Sequence, residues 1–211
     1  MPNDDATPCH LLSWSRFHAL CRNVARRIDD AGFAPDVIVA IARGGFAPAR
    51  VLCDYLRVME LTSIRVAHYR AMEPADAGAK VVDPLADDLG GRNVLIVDDV
   101  SDTGDTFDVA LAHIRERGEP AAVRTAILLH KTTSRFIPDF EGDRLRDWRW
   151  VIFPWARIED LARLIAALPG SPGDPDEIAK ALRERHGIRV ARRTLADALR
   201  FGERWRARTG R

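Results

Sequence analysis

Residues 98–106 combine acidic side chains with a loop of hydroxyl groups and glycine, and this combination points to phosphate chemistry. Asp98 and Asp99 are adjacent, and Asp102 opens the sequence Asp-Thr-Gly-Asp-Thr. Hydroxyl groups, a glycine that lets a ligand come close, and the N–H groups of a helix amino terminus make a natural phosphate site. Two bare carboxylates would repel phosphate, so they indicate hydrogen bonds to sugar hydroxyls, a bridging divalent cation, or both. Mg²⁺ is the cation that we expect, because the available ligand atoms are oxygens.

Two elements must hold this loop in place. Residues 94–97 form a short apolar, β-branched run, which is typical of a strand buried on both faces of a parallel sheet. Apolar residues at 107, 110, 111 and 114 recur at helical spacing, so a helix is expected to follow the loop. The carboxylates then lie at the carboxyl end of a strand, where open α/β sheets bind their ligands.

The stretch 94–106 resembles the motif with which type I phosphoribosyltransferases bind 5-phosphoribosyl 1-pyrophosphate (PRPP). The resemblance implies that Asp98 and Asp99 contact the ribose hydroxyls and, through them or through water, the metal. It also implies that Asp102 lies close to the transferred base and is the catalytic candidate. The residues implied to hold the 5′-phosphate are Thr103, Gly104, Asp105 and Thr106. An aspartate at position 105 is unusual in a phosphate loop, and we expect its side chain to point outward.

Two other interpretations of this motif are open. The pattern Asp-Asp-x-x-Asp also occurs in prenyl-transferring enzymes, where the aspartates lie on helices and hold Mg²⁺-diphosphate. The β-branched strand directly before Asp98 argues against that class. The other interpretation is a strand-to-helix turn with solvated acids, which would require several independent features to coincide by chance.

A second candidate anion site follows a strand predicted at 36–41, where Ala42, Arg43, Gly44 and Gly45 precede another helix at 48–56. A guanidinium beside free N–H groups at the end of a strand can bind an anion through two hydrogen bonds. By itself, the pattern also fits a glycine turn with a solvated arginine. Its resemblance to the pyrophosphate loop of the same family implies that Arg43 and Gly44 hold the leaving diphosphate. It further implies a cis peptide between Ala42 and Arg43.

Residues 63–69 are predicted to form a strand, whereas residues 70–93 show no regular pattern. A loop of this length inside a compact domain is usually functional or disordered. The resemblance implies a flexible lid over about 70–93 that closes over PRPP and excludes water, with residues 80–84 as one arm of a hairpin.

The base-binding candidates come later in the chain. Residues 124–130 are predicted to form a strand that leads to Lys131, and residues 148–155 are rich in aromatic side chains. A lysine at a strand end can donate to a carbonyl oxygen, although most lysines are simply solvated. The arrangement resembles the purine-binding end of the 6-oxopurine phosphoribosyltransferases. The residues implied to contact the purine are Lys131 at the 6-oxo group, Trp150 by stacking, and the main chain of Val151 and Ile152 at position 2.

One position departs from that branch of the family. Ala156 stands where these enzymes usually carry, directly after Pro-Trp, an acidic residue that contacts Mg²⁺. Either Glu159 or Asp160 substitutes from the following helix, or the metal is held by ligand and water alone.

The 211 residues, of which 46% are hydrophobic, can bury the core of one main domain with some appended structure. No apolar run approaches the roughly 20 residues that a membrane helix needs. Residues 1–8 are polar and acidic rather than a signal peptide. We therefore expect a cytoplasmic protein that has no membrane partner.

Charge is unevenly spread although the net value is only +1. Residues 180–211 carry 11 Lys/Arg against 3 Asp/Glu, which gives +8 there and −7 in the rest of the chain. We predict helices at 177–186, capped by Asp174 or Asp176, and at 194–208. The apolar positions of the second helix are Leu195, Leu199 and Trp205. Arginines on short helices are usually solvated or ion-paired, so we expect this tail to pack on its own chain or on a partner subunit rather than to bind nucleic acid.

The predicted architecture is α/β with a type I phosphoribosyltransferase-like fold, in which helices flank a central parallel sheet. Residues 1–168 would form the phosphoribosyltransferase domain, with a small purine-binding hood over about 131–160, and residues 172–211 a basic helical extension. The predicted reaction joins hypoxanthine, guanine or xanthine to PRPP in purine salvage, within a homodimer. The alternatives are a non-catalytic, PRPP-sensing regulator whose basic tail binds nucleic acid, and a phosphoribosyltransferase for another nucleobase. The presence of Lys131 and Trp150 argues against the regulator.

Overall fold

The computed structural model describes residues 7–68, 79–170 and 172–209. The chain forms two compact units. His18–Asp147 make up the first, which we call the sheet unit, and Met1–Phe17 with Trp148–Arg211 make up the second, which we call the helical unit. The predicted division into residues 1–168 and 172–211 stays a prediction, and the compact units are divided at other positions, after Phe17 and after Asp147.

Eight strands and six helices are formed by the described residues. The strands are β1 (Cys9–Leu11), β2 (Val37–Ala42), β3 (Glu60–His68), β4 (Ala79–Asp83), β5 (Asn93–Ser101), β6 (Ala122–Lys131), β7 (Phe140–Leu145) and β8 (Trp150–Ile152). The helices are α1 (Trp14–Asp30), α2 (Phe46–Leu56), α3 (Asp105–Glu116), α4 (Arg157–Ala166), α5 (Pro175–His186) and α6 (Arg192–Thr209). None of these helices is long and apolar enough to cross a membrane.

The sheet unit is built on six strands in the order β4-β3-β2-β5-β6-β7. All neighbours are parallel except β4, which runs antiparallel to β3, so the predicted central parallel sheet is confirmed. Its middle strands are buried on both faces, as continuous apolar runs require. On one face Val39 and Ile96 share a core with Phe107 and Ile114 of α3.

Strand β5 is longer than the sequence pattern predicts. Its pairing with β2 stops at Val97, but its pairing with β6 continues through Asp98 to Ser101. Acidic residues are poor strand formers, yet β6 supplies backbone partners beyond the point where the pairing of β5 with β2 stops. The acidic pair therefore lies within the strand, at the carboxyl edge of the sheet.

Part of the predicted lid is regular structure. Residues 79–83 form β4, which pairs with β3 as the arm of a hairpin, while residues 69–78 lie outside the described residues. β7 was not predicted, because its sequence Phe-Glu-Gly-Asp-Arg-Leu is too polar to indicate a strand. It occurs at the edge of the sheet, where only one partner is needed.

The helical unit joins distant parts of the chain. β1 and β8 form a two-stranded parallel sheet in which Cys9 lies opposite Trp150. Helices α4, α5 and α6 pack with it around one apolar core, which includes Ile152, Leu161, Leu164, Ile178, Leu182 and Leu195. The predicted helical extension is confirmed, and Asp174 caps α5 by accepting hydrogen bonds from the N–H groups of Asp176 and Glu177. The predicted apolar position Trp205 lies outside the described side chains.

Candidate active site

The acidic pair at the end of β5 places two carboxyl groups side by side, one of them buried. Asp98 is only 8% exposed, and its Oδ1 accepts a hydrogen bond of 2.9 Å from the N–H of Asp99. Burial, and next the neighbouring charge of Asp99, raise the pKa of Asp98 well above its ordinary range. Such a carboxyl group is satisfied by hydroxyl donors or a cation, which are the partners that the sequence predicted for it.

Residues 42–45, which we call the Arg43 loop, lie in contact with this acidic pair. The peptide between Ala42 and Arg43 is cis. A side-chain carbon at Gly44 would overlap the carboxylate of Asp99, so the loop and the acidic pair are in contact. The two predicted halves of the PRPP site therefore meet at one edge of the sheet.

Gly45 is a residue of this loop that the sequence analysis did not assign. Its N–H donates to the carbonyl of Ile41 at 2.8 Å, and an added Cβ would lie 2.7 Å from that oxygen and would overlap the carbonyl of Val97. Only glycine allows the turn to lie this close to both strands. The signal in the sequence was the second glycine of the pair.

The loop that carries the predicted phosphate-binding residues leads into the amino terminus of α3. Gly104 is the cap residue, with φ at 104°, and an added Cβ would lie 2.5 Å from the Cβ of Phe136. The Thr103 hydroxyl donates to the Asp105 carboxylate at 2.9 Å. The first N–H groups of α3 thus lie beside this loop, which is the arrangement that binds phosphate at helix termini.

The negative charge of Asp105 is paired with a positive charge, that of Arg135. Arg135 lies 2.6 Å from Asp105 and 2.8 Å from Asp108, one turn further along α3. Its hydrogen bond to Asp108 and the charges of both acids raise the pKa of Arg135. No local pattern could have revealed this partner, because Arg135 comes from the loop after β6.

Lys131 and Asp102, the predicted base-reading and catalytic residues, form an ion pair through Nζ and Oδ1. The Lys131 side chain is 2% exposed and that of Asp102 is 43% exposed. A buried ammonium group requires a partner of opposite charge, and Asp102 supplies it while keeping one side open to solvent. The structure therefore brings these two residues together at the carboxyl edge of the sheet.

The other predicted purine contacts lie in the helical unit, on β8. The Trp150 N–H donates to the carbonyl of Pro8, and the Ile152 carbonyl accepts from the N–H of Leu12. Alternate residues of a strand direct their backbone groups to opposite edges, so the N–H and C=O of Val151 face away from β1. Val151 is therefore better placed than Ile152 to offer main-chain groups to a ligand.

Asp160, one of the two acids that could substitute at Ala156, already has a partner. Its Oδ1 accepts a hydrogen bond of 3.0 Å from Nε1 of Trp150. Burial raises the pKa of Asp160 from 3.8 to about 6, although the hydrogen bond from Trp150 and the charge of Arg163 act in the opposite direction. Glu159 stays a predicted substitute for the acidic residue that is missing at position 156.

Among the described residues, no three His, Cys, Asp or Glu side chains come together to hold a metal ion. Mg²⁺ does not need such a cage, because it is commonly bound through one or two carboxylates together with substrate phosphates and water. The adjacent carboxylates of Asp98 and Asp99, beside the Arg43 loop, are compatible with that mode of binding.

Known proteins are similar to this chain in sequence and in fold. Residues 10–157 match the family described as the phosphoribosyl transferase domain. The hypoxanthine-guanine phosphoribosyltransferase of Saccharomyces cerevisiae is 35% identical over 122 residues, which cover 50% of this chain and 54% of the yeast enzyme. The xanthine-guanine phosphoribosyltransferase of Idiomarina loihiensis is 31% identical over 144 residues, which cover 68% of this chain and 84% of that protein. The chain thus spans about half the length of the yeast relative and most of the bacterial one.

A solved structure extends the likeness to three dimensions. The crystal structure of the purine phosphoribosyltransferase from Pyrococcus horikoshii superimposes with a TM-score of 0.62 at 31% identity, over 70% of this chain and 93% of that one. The predicted fold class is therefore confirmed. Helices α5 and α6 lie beyond the residues that match the family.

Proposed function

We propose that this chain, which belongs to the phosphoribosyl transferase domain family, joins a 6-oxopurine base to PRPP and releases a nucleoside 5′-monophosphate and pyrophosphate. The observation that carries the proposal is the contact between Lys131 and Asp102. Lys131 can donate to an oxo group, and Asp102 opens the phosphate loop. Both lie at the carboxyl edge of the sheet, where Gly44 also contacts Asp99. Its 6-oxopurine relatives support the choice of base.

The sheet unit would bind PRPP through three groups of residues. Arg43 and the backbone at Gly44 would hold the diphosphate, because a guanidinium can bind it through two hydrogen bonds. Asp98 and Asp99 would accept hydrogen bonds from the ribose hydroxyls. The residues that would cradle the 5′-phosphate are Thr103, Gly104, Asp105 and Thr106, through their backbone groups at the start of α3.

Transfer requires that N9 of the purine form a bond to the anomeric carbon while the bond from that carbon to the diphosphate oxygen breaks. Asp102 would accept the proton that leaves N7 of the purine. The Lys131 contact holds the Asp102 carboxylate in position, and the same ammonium group can donate to the 6-oxo oxygen. Positive charge on the sugar and negative charge on the diphosphate both develop, so positioned opposite charges account for most of the catalysis.

Trp150 and Val151 would complete recognition of the base. A purine stacked on the indole gains roughly 1–3 kcal/mol, whichever base it is. Selectivity for an oxo over an amino group would then depend on Lys131, which is only a donor. The main chain of Val151 would meet the substituent at position 2, next to that of Ile152, whose carbonyl already accepts from Leu12.

Mg²⁺ is the proposed cofactor, held by Asp98 and Asp99 through ribose hydroxyls or water and by the diphosphate itself. When bound, it supplies positive charge that neutralises the leaving diphosphate. The Arg43 guanidinium supplies charge of the same sign from the protein. Removing Mg²⁺ with a chelator should therefore abolish turnover, whereas unfolding temperature in the absence of PRPP should not change.

A homodimer is also proposed. Four apolar side chains of α2 and the following segment are unusually exposed: Phe46, Tyr55, Met59 and Leu61. Such side chains do not by themselves define an interface, so the proposal rests on the resemblance to a family that commonly forms dimers. Light scattering on the full chain should give twice the monomer mass, and a monomer at micromolar concentration would contradict the proposal. A cytoplasmic location stays a prediction of the sequence.

The proposed reaction is tested by a panel of bases with PRPP and Mg²⁺, read out as pyrophosphate release. Hypoxanthine, guanine or xanthine should be turned over, and adenine and uracil should not. Turnover of adenine or uracil alone would favour the alternative of another nucleobase. PRPP binding without turnover of any base would favour the non-catalytic regulator.

A further inference from the structure

Trp150 is contacted by two charged side chains of α4. Its Nε1–H donates to Oδ1 of Asp160 at 3.0 Å, and the guanidinium carbon of Arg163 lies 4.3 Å from the centroid of the indole ring. The same Asp160 oxygen is 3.8 Å from Nη2 of Arg163. Residues three apart on a helix lie on one face, so Asp160 and Arg163 reach the indole side by side.

The two contacts restrict the indole in different ways. A hydrogen bond in the plane of the ring opposes rotation of the ring about its bond to Cβ. A guanidinium stacked on one face is attracted by the π-electrons and covers that face. A planar ligand can therefore stack only on the indole face that Arg163 does not cover.

Asp160 is placed against the usual preference of its residue type. It is 8% exposed, and aspartates are almost never buried so deeply unless they are paired. Burial raises its pKa to about 6, so keeping it ionised at neutral pH costs folding free energy. An apolar residue at this position would pack at lower cost, but it would leave the Trp150 N–H without an acceptor.

We propose that Asp160 and Arg163 are positioning residues that fix the plane of Trp150 and leave one indole face for the purine. This inference rests on the proposed function, because it assumes that Trp150 carries the base. It goes further in assigning a task to two residues of α4, one of which the sequence had offered as a substitute metal ligand. Neither residue has to touch the base or the reacting atoms.

The test compares Asp160→Ala, Asp160→Asn and Arg163→Met with Glu184→Gln, an exposed acid of α5 in the same unit. Asp160→Ala should raise KM for the base by roughly tenfold, corresponding to about half of the stacking free energy, and should change KM for PRPP less than twofold. Asp160→Asn should restore KM for the base to within about twofold of wild type, because the amide oxygen accepts the same hydrogen bond. Arg163→Met should show an intermediate increase, and Glu184→Gln none.

A spectroscopic readout follows the indole directly. The Nε1–H resonance of Trp150 in a ¹H–¹⁵N spectrum of the full chain is assigned by its loss in Trp150→Phe. It should move upfield in Asp160→Ala and stay close to its wild-type position in Glu184→Gln. An unmoved resonance in Asp160→Ala, or an unchanged KM for the base in that variant, would overturn the inference.

Failure of the proposed function would look different. If Trp150→Ala itself leaves KM for every base unchanged, Trp150 is not the stacking residue, and the inference falls with that part of the proposal. If wild type turns over no base but the resonance moves as expected, the Asp160 contact exists and the assigned reaction is wrong. If Asp160→Ala does not fold, Arg163→Met takes its place, with Asp160→Asn as the variant that should keep KM for the base near wild type. An unchanged KM for the base in Arg163→Met, or a tenfold increase in Asp160→Asn, would then overturn the inference.

Discussion

Lys131 and Asp102 constrain each other, because the ammonium group is buried and the carboxylate is its partner at the edge of solvent. Changing either residue should alter catalysis, and it also removes an opposite charge from beside the other. Effects on activity must therefore be separated from effects on stability. Comparing the two single variants with the double variant achieves this.

Asp102→Asn should lower kcat by roughly 10²–10⁴-fold, the usual contribution of a positioned acid or base, while PRPP still binds. It should also destabilise the fold, because the buried ammonium group of Lys131 loses the charge of Asp102. We expect a cost of about 1–3 kcal/mol, at the low end for a buried pair because Asp102 is partly exposed. Adding Lys131→Met should recover stability but not turnover. Asp87→Asn, at an exposed acid, is the control, and an unchanged kcat in Asp102→Asn would remove Asp102 from the mechanism.

Lys131→Met keeps the buried aliphatic stem and removes the donor. KM for the purine should rise by about tenfold or more, since a lost hydrogen bond to a charged donor is worth roughly 1.5–3 kcal/mol, while KM for PRPP should change little. Steady-state kinetics with each substrate varied in turn measure both constants. Equal increases would mean that the lysine acts on PRPP, and Lys180→Met controls for loss of a surface charge.

Asp160 makes stability depend on pH in a predictable direction. Because burial raises its pKa from 3.8 to about 6, the native state binds more protons than the unfolded chain between these values. The free energy of unfolding therefore falls as pH rises through that window. Asp160→Asn removes the titration, so its stability relative to wild type should increase by about 2–3 kcal/mol between pH 4 and pH 7.5 in urea unfolding. A difference that is constant with pH would contradict this account.

At the scale of strands and loops, close backbone contacts position the site. Gly45 lies between the carbonyls of Ile41 and Val97, so the Arg43 loop and β5 share one packing arrangement. A change in one must move the other.

Gly45→Ala should therefore displace the Arg43 loop from β5. We expect a loss of about 1–3 kcal/mol in stability from overpacking and a several-fold rise in KM for PRPP. Gly173→Ala, where an added Cβ meets nothing within 4 Å, should change neither quantity. Thermal unfolding and PRPP kinetics make the comparison, and wild-type values for Gly45→Ala would show that the loop has room to relax.

The sequence predicted the elements whose pattern is local. β2 is a continuous apolar run, β5 and β6 each contain one, and α5 has both an aspartate cap and a terminal glycine. β1 has only three residues and exists because β8 pairs with it, so nothing nearby in the sequence could indicate it.

The same distinction applies to the site. The residues of the PRPP motif are contiguous in sequence and could be assigned, but Arg135 reaches Asp105 from a separate loop. The hydrogen bond between Trp150 and Asp160 likewise depends on how β8 meets α4, which no spacing rule encodes.

For the molecule as a whole, the basic extension is held by an apolar core rather than by its charge. Ile178, Leu182 and Leu195 pack with Leu161 and Leu164 of α4 in the helical unit. The opposite net charges of residues 180–211 (+8) and of the rest of the chain (−7) are not needed to explain that packing. Arg192, for example, pairs with Asp176 inside the extension.

Truncation after Gly170 should therefore expose several large aliphatic side chains, each of which contributes roughly 1.5–3 kcal/mol when buried. We expect a lower melting temperature, with the preference among bases unchanged because Lys131 is retained. A full-length protein that bound duplex DNA or RNA tightly, with affinity falling steeply between about 50 and 200 mM salt, and lost that binding on truncation, would instead support the regulator.

The pairing of β1 with β8 also has a consequence for how the chain is made. Contacts inside the helical unit span most of the polypeptide: Arg157 donates to the carbonyl of Leu12 across 145 positions, and His186 contacts the carbonyl of Thr7 across 179. On the ribosome, where synthesis proceeds at about 5–20 residues per second, all residues of the sheet unit are synthesised before Arg157 and His186 are. β1 therefore has no strand partner until β8 has been made, and during that interval it is open to chaperones and proteases.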